Sequence, residues 1–223
     1  MKTFTYATGL PKMVSLDTIE GKDGRFYITP LGNSVPSVTT VLGYSKRHII
    51  QEWRQRVGEE EANRVSAKAS SRGTRFHNLC EKYFLNEKGI FESVMPDLLQ
   101  SFRDVRPTLD RIDNIHYIES PLYSETLGIA GRTDIIGEFD GKLSVIDLKT
   151  SNREKDENWI RDYFLQGTAY ALMYEELVGT PIEQVVIIIS VDHSPTPQVF
   201  VKNKEDYIVE LLEKIITYKK ENR

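Results

Sequence analysis

Along the chain the spacing of apolar residues shifts between alternation and helical periods, and each shift predicts an element. Residues 14–29 alternate apolar and polar around Gly21-Lys22-Asp23-Gly24, the pattern of an N-terminal hairpin. From Ser37 to about Asn86 the pattern is helical, with breaks near 43–45 and Gly58 and a third at 70–73. Its last segment is the clearest, because Phe76, Leu79, Cys80, Tyr83 and Phe84 recur at three and four and form one buried stripe. A further helix is predicted over 96–111. Three strands follow over 114–124, 129–139 and 142–149, the last two joined by Asp140-Gly141, a dipeptide favoured in tight hairpin turns. A helix over 157–178, a strand over 184–191, a short strand near 197–202 and a helix closing near Lys220 complete the order. The continuous apolar run at 184–191 suits a strand covered on both faces. The class expected is α/β in a single domain over 1–223. Within it, 1–35 is a decoration, 37–111 a helical region and 112–220 a sheet with its helices.

Composition narrows the chemistry. The 223 residues carry 29 basic and 33 acidic side chains, a net charge of −4, so any polyanion site has to be local. The single cysteine, Cys80, excludes an internal disulfide, a four-cysteine zinc site and a four-cysteine iron–sulfur cluster, and it reads as core. No apolar run approaches the roughly 18 residues that span a bilayer. Residues 1–16 lack the features of a secretory or mitochondrial targeting segment, so a cytoplasmic location is expected.

If Asp140-Gly141 is a two-residue turn, Phe139 lies opposite Lys142 and every opposed pair sums to 281 in residue number. Asp134 then faces Asp147, and Lys149 joins Asp147 on one face, opposite Arg132. A three-residue loop would send the two aspartates to opposite faces. Facing like charges destabilise a sheet by up to roughly 1 kcal/mol, so the pair needs a reason, and a divalent cation supplies one. Magnesium is commonly held by one or two carboxylates plus phosphate oxygens, and a lysine beside it orients water or balances charge on a phosphate under attack. Taken alone, Asp147-x-Lys149 is as readily two solvent-facing residues of an edge strand.

Gly128-Ile-Ala-Gly-Arg-Thr-Asp134 followed by Leu143-Ser-Val-Ile-Asp-Leu-Lys-Thr-Ser151 resembles the active-site hairpin of the PD-(D/E)XK nucleases. Three outlying segments resemble its RecB-like branch: Pro36-Ser-Val-Thr-Thr-Val-Leu42, Gly73-Thr-Arg-Phe-His-Asn-Leu-Cys-Glu81 and Gln166-Gly-Thr-Ala-Tyr170. Within that branch the wording and order are most similar to the mitochondrial genome maintenance exonucleases and their phage relatives, over about residues 36–220. The resemblance implies a restriction-endonuclease-like fold and a metal-dependent nuclease. It implies His77, Asp134 and Asp147 as metal ligands with the Leu148 carbonyl, and Lys149 acting on the nucleophilic water. It also implies that Gln166 and Tyr170 face the site from the following helix, steadying Lys149 or touching substrate. Magnesium, or manganese in its place, is the implied cofactor, DNA the partner, and no nucleotide cofactor is expected. Thr133 stands where the family name has proline, and the absent targeting segment favours a phage or bacterial protein. Without the resemblance His77 is as readily a core-edge residue, with Glu81 as its partner or a surface residue, and Gln166 and Tyr170 are core with polar tips.

Residues 44–82 hold nine Lys or Arg against five Glu, a local +4 in a chain of −4. With Tyr44 and Trp53 interleaved, this block suits a basic helical arch with base-stacking platforms over a single strand, or a solvated helical face. Arg72 and Arg75 are the best phosphate contacts, with Thr150 beside the site and Ser37 and Thr39 near the start; Ser37 also suits a helix cap. The expected activity is hydrolysis of single-stranded DNA by an exonuclease that needs a free end, in replication, repair or recombination. A structure-specific endonuclease and a catalytically silent binding module are the alternatives.

Overall fold

The computed structural model describes residues 1–222. Three short strands, β1 (Asp17–Gly21), β2 (Gly24–Ile28) and β3 (Ser34–Pro36), form an antiparallel sheet, so the expected hairpin gains a third strand. Helices α1 (Val38–Tyr44), α2 (Arg47–Val57), α3 (Glu59–Phe84) and α4 (Pro96–Leu109) follow. Then come β4 (Ile112–Ser124), β5 (Ile129–Phe139), β6 (Lys142–Ser151), α5 (Arg161–Val178), β7 (Gln184–Val191), β8 (Gln198–Asn203) and α6 (Ile208–Glu221). The order helix, three strands, helix, two strands, helix is the one the sequence predicts.

One break is absent. α3 runs unbroken for 26 residues through 70–73, because Gly73 keeps helical backbone instead of the left-handed conformation that ends a helix. Gly58, at φ +87, is the true punctuation and separates α2 from α3.

The second sheet has the order β4-β5-β6-β7-β8, with β6 and β7 parallel and the other pairs antiparallel. The parallel step requires a crossover, which α5 supplies. Two cores lie on opposite faces of this sheet. Val145, Ile187 and Ile189 pack with α1, α5 and α6, whereas Ile146, Leu148, Val186 and Ile188 pack with α3 and α4. Strand β7 is therefore buried on both sides, which explains its unbroken apolar run. Phe4 and the chain around it close over Tyr83 and Phe84. Among the described residues no helix is long and apolar enough to cross a membrane.

The helical region divides in two. From Phe76 onward α3 is built into the core, but α2 buries no side chain and the earlier turns of α3 bury only Ala62. These two helices stand off the body as a hairpin pinned at its base by ion pairs from Lys46 to Asp162 and Arg47 to Asp23.

Candidate active site

The hairpin register follows the predicted sum of 281 from Phe139↔Lys142 to Ile135↔Ile146, and there the β5–β6 ladder ends. Asp134 and Asp147 are thus not a ladder pair, and neither are Arg132 and Lys149. Instead the Asp134 carboxylate accepts the Leu148 N–H at 2.7 Å and replaces the next rung, while β6 continues along β7 to Ser151↔Val191. The strands part at this point and leave a gap between polar side chains.

Three elements fill that gap. From α3, His77 Nδ1 stands 3.5 Å from an Asp134 oxygen and 3.7 Å from a Glu119 oxygen. Glu119 comes from β4, where the pairs Ile118↔Ile135 and Ser120↔Thr133 bracket it opposite Asp134. Its φ of +44 is strained for a residue with a side chain and marks a local constraint. Ligand atoms of His77, Glu119 and Asp134 lie within 4.8 Å of one another around a cavity of about 10 Å³, which Glu81 and Leu148 also line. Glu119 is therefore the nearer carboxylate partner of His77, and Glu81 is peripheral.

On the α5 side, Asp147 is 1% exposed and lies 2.5 Å from Lys149 Nζ, which also stands 5.1 Å above the Tyr163 ring. Both Asp147 oxygens face that ammonium: Oδ1 accepts its hydrogen bond at 2.6 Å and Oδ2 is the ion-paired oxygen at 2.5 Å, while the close group of ligand atoms is that of His77, Glu119 and Asp134. The imidazole and carboxylate oxygens of His77, Glu119 and Asp134 are a donor set that suits a hard divalent cation.

Electrostatics agree with that donor set. Burial, with the Asp134 charge adding to it and Lys149 opposing it, pushes the Asp147 carboxyl up to about 6. Asp134 is also buried, yet His77, Lys149 and the Leu148 N–H hold it below the usual carboxylate range. Burial disfavours a charged His77, but the Asp134 and Glu119 carboxylates outweigh it and raise the imidazole to about 10. Lys149 is likewise held charged against its burial by Asp147 and Asp134. A proton on His77 and the Lys149 ammonium offset the acidic cluster.

Gln166 and Tyr170 lie one turn apart on α5, and the Gln166 amide donates to the Tyr170 hydroxyl at 3.1 Å. Tyr170 is 3% exposed and packs on Gly131, where a Cβ would stand 2.7 Å from its ring. This close approach explains the glycine in Gly128-Ile-Ala-Gly131.

The expected nucleic-acid contacts separate. Arg72, Arg75 and Thr150 line one pocket of about 410 Å³ with Lys68, Phe76 and Asp192. Within it Arg72 donates to Asp192 at 2.6 Å and to the Thr150 hydroxyl at 3.3 Å. Trp53 is half-buried on α2. Two expectations need correction. Ser37 is buried as the N-cap of α1 and accepts the Thr40 N–H, with the exposed Thr39 hydroxyl 3.0 Å away. Tyr44 packs edge-on against Tyr218 with Arg47 over its face, so neither Ser37 nor Tyr44 offers a free surface to a strand.

The profile of the PD-(D/E)XK nuclease superfamily matches residues 91–221, more than half of the chain. The chain belongs to that superfamily. Its members use divalent metals, and the His77, Glu119 and Asp134 group is a possible metal site of that kind. Mitochondrial genome maintenance exonuclease 1 of Homo sapiens is 32% identical over 151 residues, 62% of this chain and 43% of its own. The Mus musculus protein is 28% identical over 149 residues, and that of Xenopus tropicalis 30% over 148. The chain thus spans less than half the length of these relatives. The crystal structure of SSO0001 aligns over 82% of this PD-(D/E)XK chain and 74% of its own, at 18% identity and a TM-score of 0.45.

Proposed function

We propose that the protein is a metal-dependent deoxyribonuclease that hydrolyses single-stranded DNA as an exonuclease needing a free end, in replication, repair or recombination, and in the cytoplasm. One observation carries this: where β5 and β6 part, the His77, Glu119 and Asp134 group meets the buried Asp147–Lys149 pair. The exonuclease relatives add weight to the choice of mode.

His77, Glu119, Asp134 and Asp147 would hold the ion, with the Leu148 carbonyl as a further oxygen; the Leu148 N–H is already engaged by Asp134. Magnesium there, or manganese in its place, supplies an activated water and stabilises charge on the phosphate. Asp147 keeps Lys149 protonated and fixed, so its ammonium orients the attacking water and balances the developing charge. Gln166 and Tyr170 steady the α5 side of the site. Arg72, Arg75 and Thr150 take phosphates at their pocket, with Trp53 and the basic face of α2 and α3 guiding the strand.

End-labelled single- and double-stranded DNA and RNA, incubated with magnesium and sampled over time, test this reading. Stepwise loss of label from linear single-stranded DNA, abolished by EDTA, is expected. Cleavage that persists undiminished in excess EDTA overturns the metal mechanism, and preference for RNA overturns the substrate.

A further inference from the structure

The most exposed aromatic side chain among the described residues belongs to none of the motifs. Trp159 is 69% exposed and stands in the 3-10 turn Glu157–Ile160 that leads into α5. Its exposure is not that of a loose loop. Ile160 is buried, Asp156 accepts the Asn158 N–H at 2.8 Å, and Glu157 pairs with Lys202 of β8 at 2.5 Å. Just before the turn, Lys155 exchanges two hydrogen bonds with the Gln198 side chain, at 2.7 and 3.0 Å. A rigid backbone therefore holds a large apolar plane in water.

The faces of the helix tell where that plane lies. Arg161 turns toward Glu210 of α6, Phe164 toward Phe200 and Tyr207, and Asp162 toward Lys46 at the base of α2. Tyr163 turns to the site, with its ring under Lys149 Nζ. Trp159 precedes Tyr163 by four residues just as the buried Ile160 precedes the buried Phe164, so the turn carries the sides of α5 outward and sets Trp159 before Tyr163. The line Trp159, Tyr163, Gln166, Tyr170 runs from solvent into the cluster.

We propose that Trp159 is the platform on which an unpaired nucleobase next to the scissile phosphate stacks. This rests on the nuclease reading of the site. The indole offers an open aromatic face four residues before Tyr163, whose ring lies under the ammonium that would meet the phosphate, and every base has a complementary face whatever its identity. In a duplex those faces are already stacked on neighbours, so the platform selects single strands or frayed ends.

Because the chain has two tryptophans, Trp53→Phe leaves Trp159 as the sole indole reporter. In a Lys149→Ala background, single-stranded oligothymidylate should quench its fluorescence, and an abasic strand of equal length should not. In otherwise wild-type protein, Trp159→Ala should raise the Kd for oligothymidylate about tenfold, and Trp159→Tyr should recover most of the loss. Circular dichroism should be unchanged, since the indole is exposed. Equal Kd values for wild type and Trp159→Ala, or equal quenching by the abasic strand, overturn the platform. Hydrolysis assayed beside binding separates the two ideas: quenching without catalysis removes the nuclease and keeps the platform, while catalysis with an unchanged Kd does the reverse.

Discussion

Glu119 and Asp134 stand opposite each other on β4 and β5, and both reach the same atom, Nδ1 of His77, at 3.7 and 3.5 Å. Two opposed carboxylates on neighbouring strands repel, and here the His77 imidazole stands against both of them. Glu119→Gln keeps the shape and removes one charge. Ordered loss of a metal ligand should raise the magnesium concentration needed for half-maximal cleavage by roughly 10–100-fold, by analogy with the effect of supporting residues at metal sites. A titration of activity against magnesium checks this, and an unchanged requirement would exclude Glu119 from the site.

Asp147 supplies a stability prediction with a definite sign. Its carboxyl is raised from an ordinary value near 3.8 to about 6, so the metal-free fold favours the protonated acid. The corresponding stability is fully present below about 3.8 and is lost as pH rises through about 6. Asn mimics the protonated acid at every pH. In EDTA, Asp147→Asn should match the wild type near pH 4 and exceed it in Tm above pH 6, while cleavage is abolished. A thermal-shift series across pH 4–7 measures the gap. A lower Tm for the variant at neutral pH would mean that the Lys149 pair outweighs the burial of the charge.

Metal binding should also move protons. His77 is held protonated up to about 10 by its two carboxylate neighbours, and an imidazole binds a cation only when that nitrogen is free. Magnesium or manganese binding at pH 8 should release close to one proton per site. Calorimetric titrations in buffers of different ionisation enthalpy read this directly. No buffer dependence would argue that His77 stays outside the coordination sphere. Calcium should bind with little turnover, because its longer and looser coordination misplaces the attacking water.

Gly131 gives a packing prediction. A methyl group there meets the Tyr170 ring at 2.7 Å, and that ring is buried and hydrogen-bonded to Gln166. Gly131→Ala should cost about 1–3 kcal/mol of stability by overpacking and should slow cleavage by displacing the α5 side of the site. Pairing it with Tyr170→Leu should restore part of the lost Tm. Additive losses in the double variant would place the strain elsewhere.

The sequence made the hairpin legible because turn chemistry fixes parity: Asp140-Gly141 sets the register from Phe139↔Lys142 onward. Pattern alone could not indicate that the ladder stops at Ile135↔Ile146, since the cause is a carboxylate capturing the Leu148 N–H. Glu119 carried a weak signal. Ser124↔Ile129 encloses a four-residue loop, and counting back from that pair sets residue 119 opposite 134. No dipeptide as specific as Asp-Gly announces that loop. An interleaved aromatic such as Tyr44 looks alike in sequence whether it faces a ligand or α6, and a hydroxyl before a helix, as at Ser37, suits a cap at least as well as an anion contact.

The hairpin of α2 and α3 bears on how the strand arrives. Before Phe76 it buries only Ala62, and its arginines are spread over different partners: Arg54 pairs with Glu59 and Arg64 with Glu61, while Arg72 pairs with Asp192 in the pocket that Arg75 and Lys68 share. Folding alone gives little reason to project α2 and the first turns of α3 into solvent, whereas the proposed passage for a polyanion does. On the proposed reading, a passage bounded by that hairpin would admit one strand more readily than a duplex and would be entered from an end. Linear single-stranded DNA should therefore be degraded while covalently closed single-stranded circles of the same sequence persist. Trp53→Ala should weaken binding of linear single strands by roughly 1–3 kcal/mol if its half-buried ring stacks a base. Cleavage of a very short substrate, which does not span the passage, should change much less. Circular dichroism on the same samples separates lost stacking from an unfolded hairpin. Rapid nicking of the closed circles would end the requirement for a free end and make the enzyme an endonuclease.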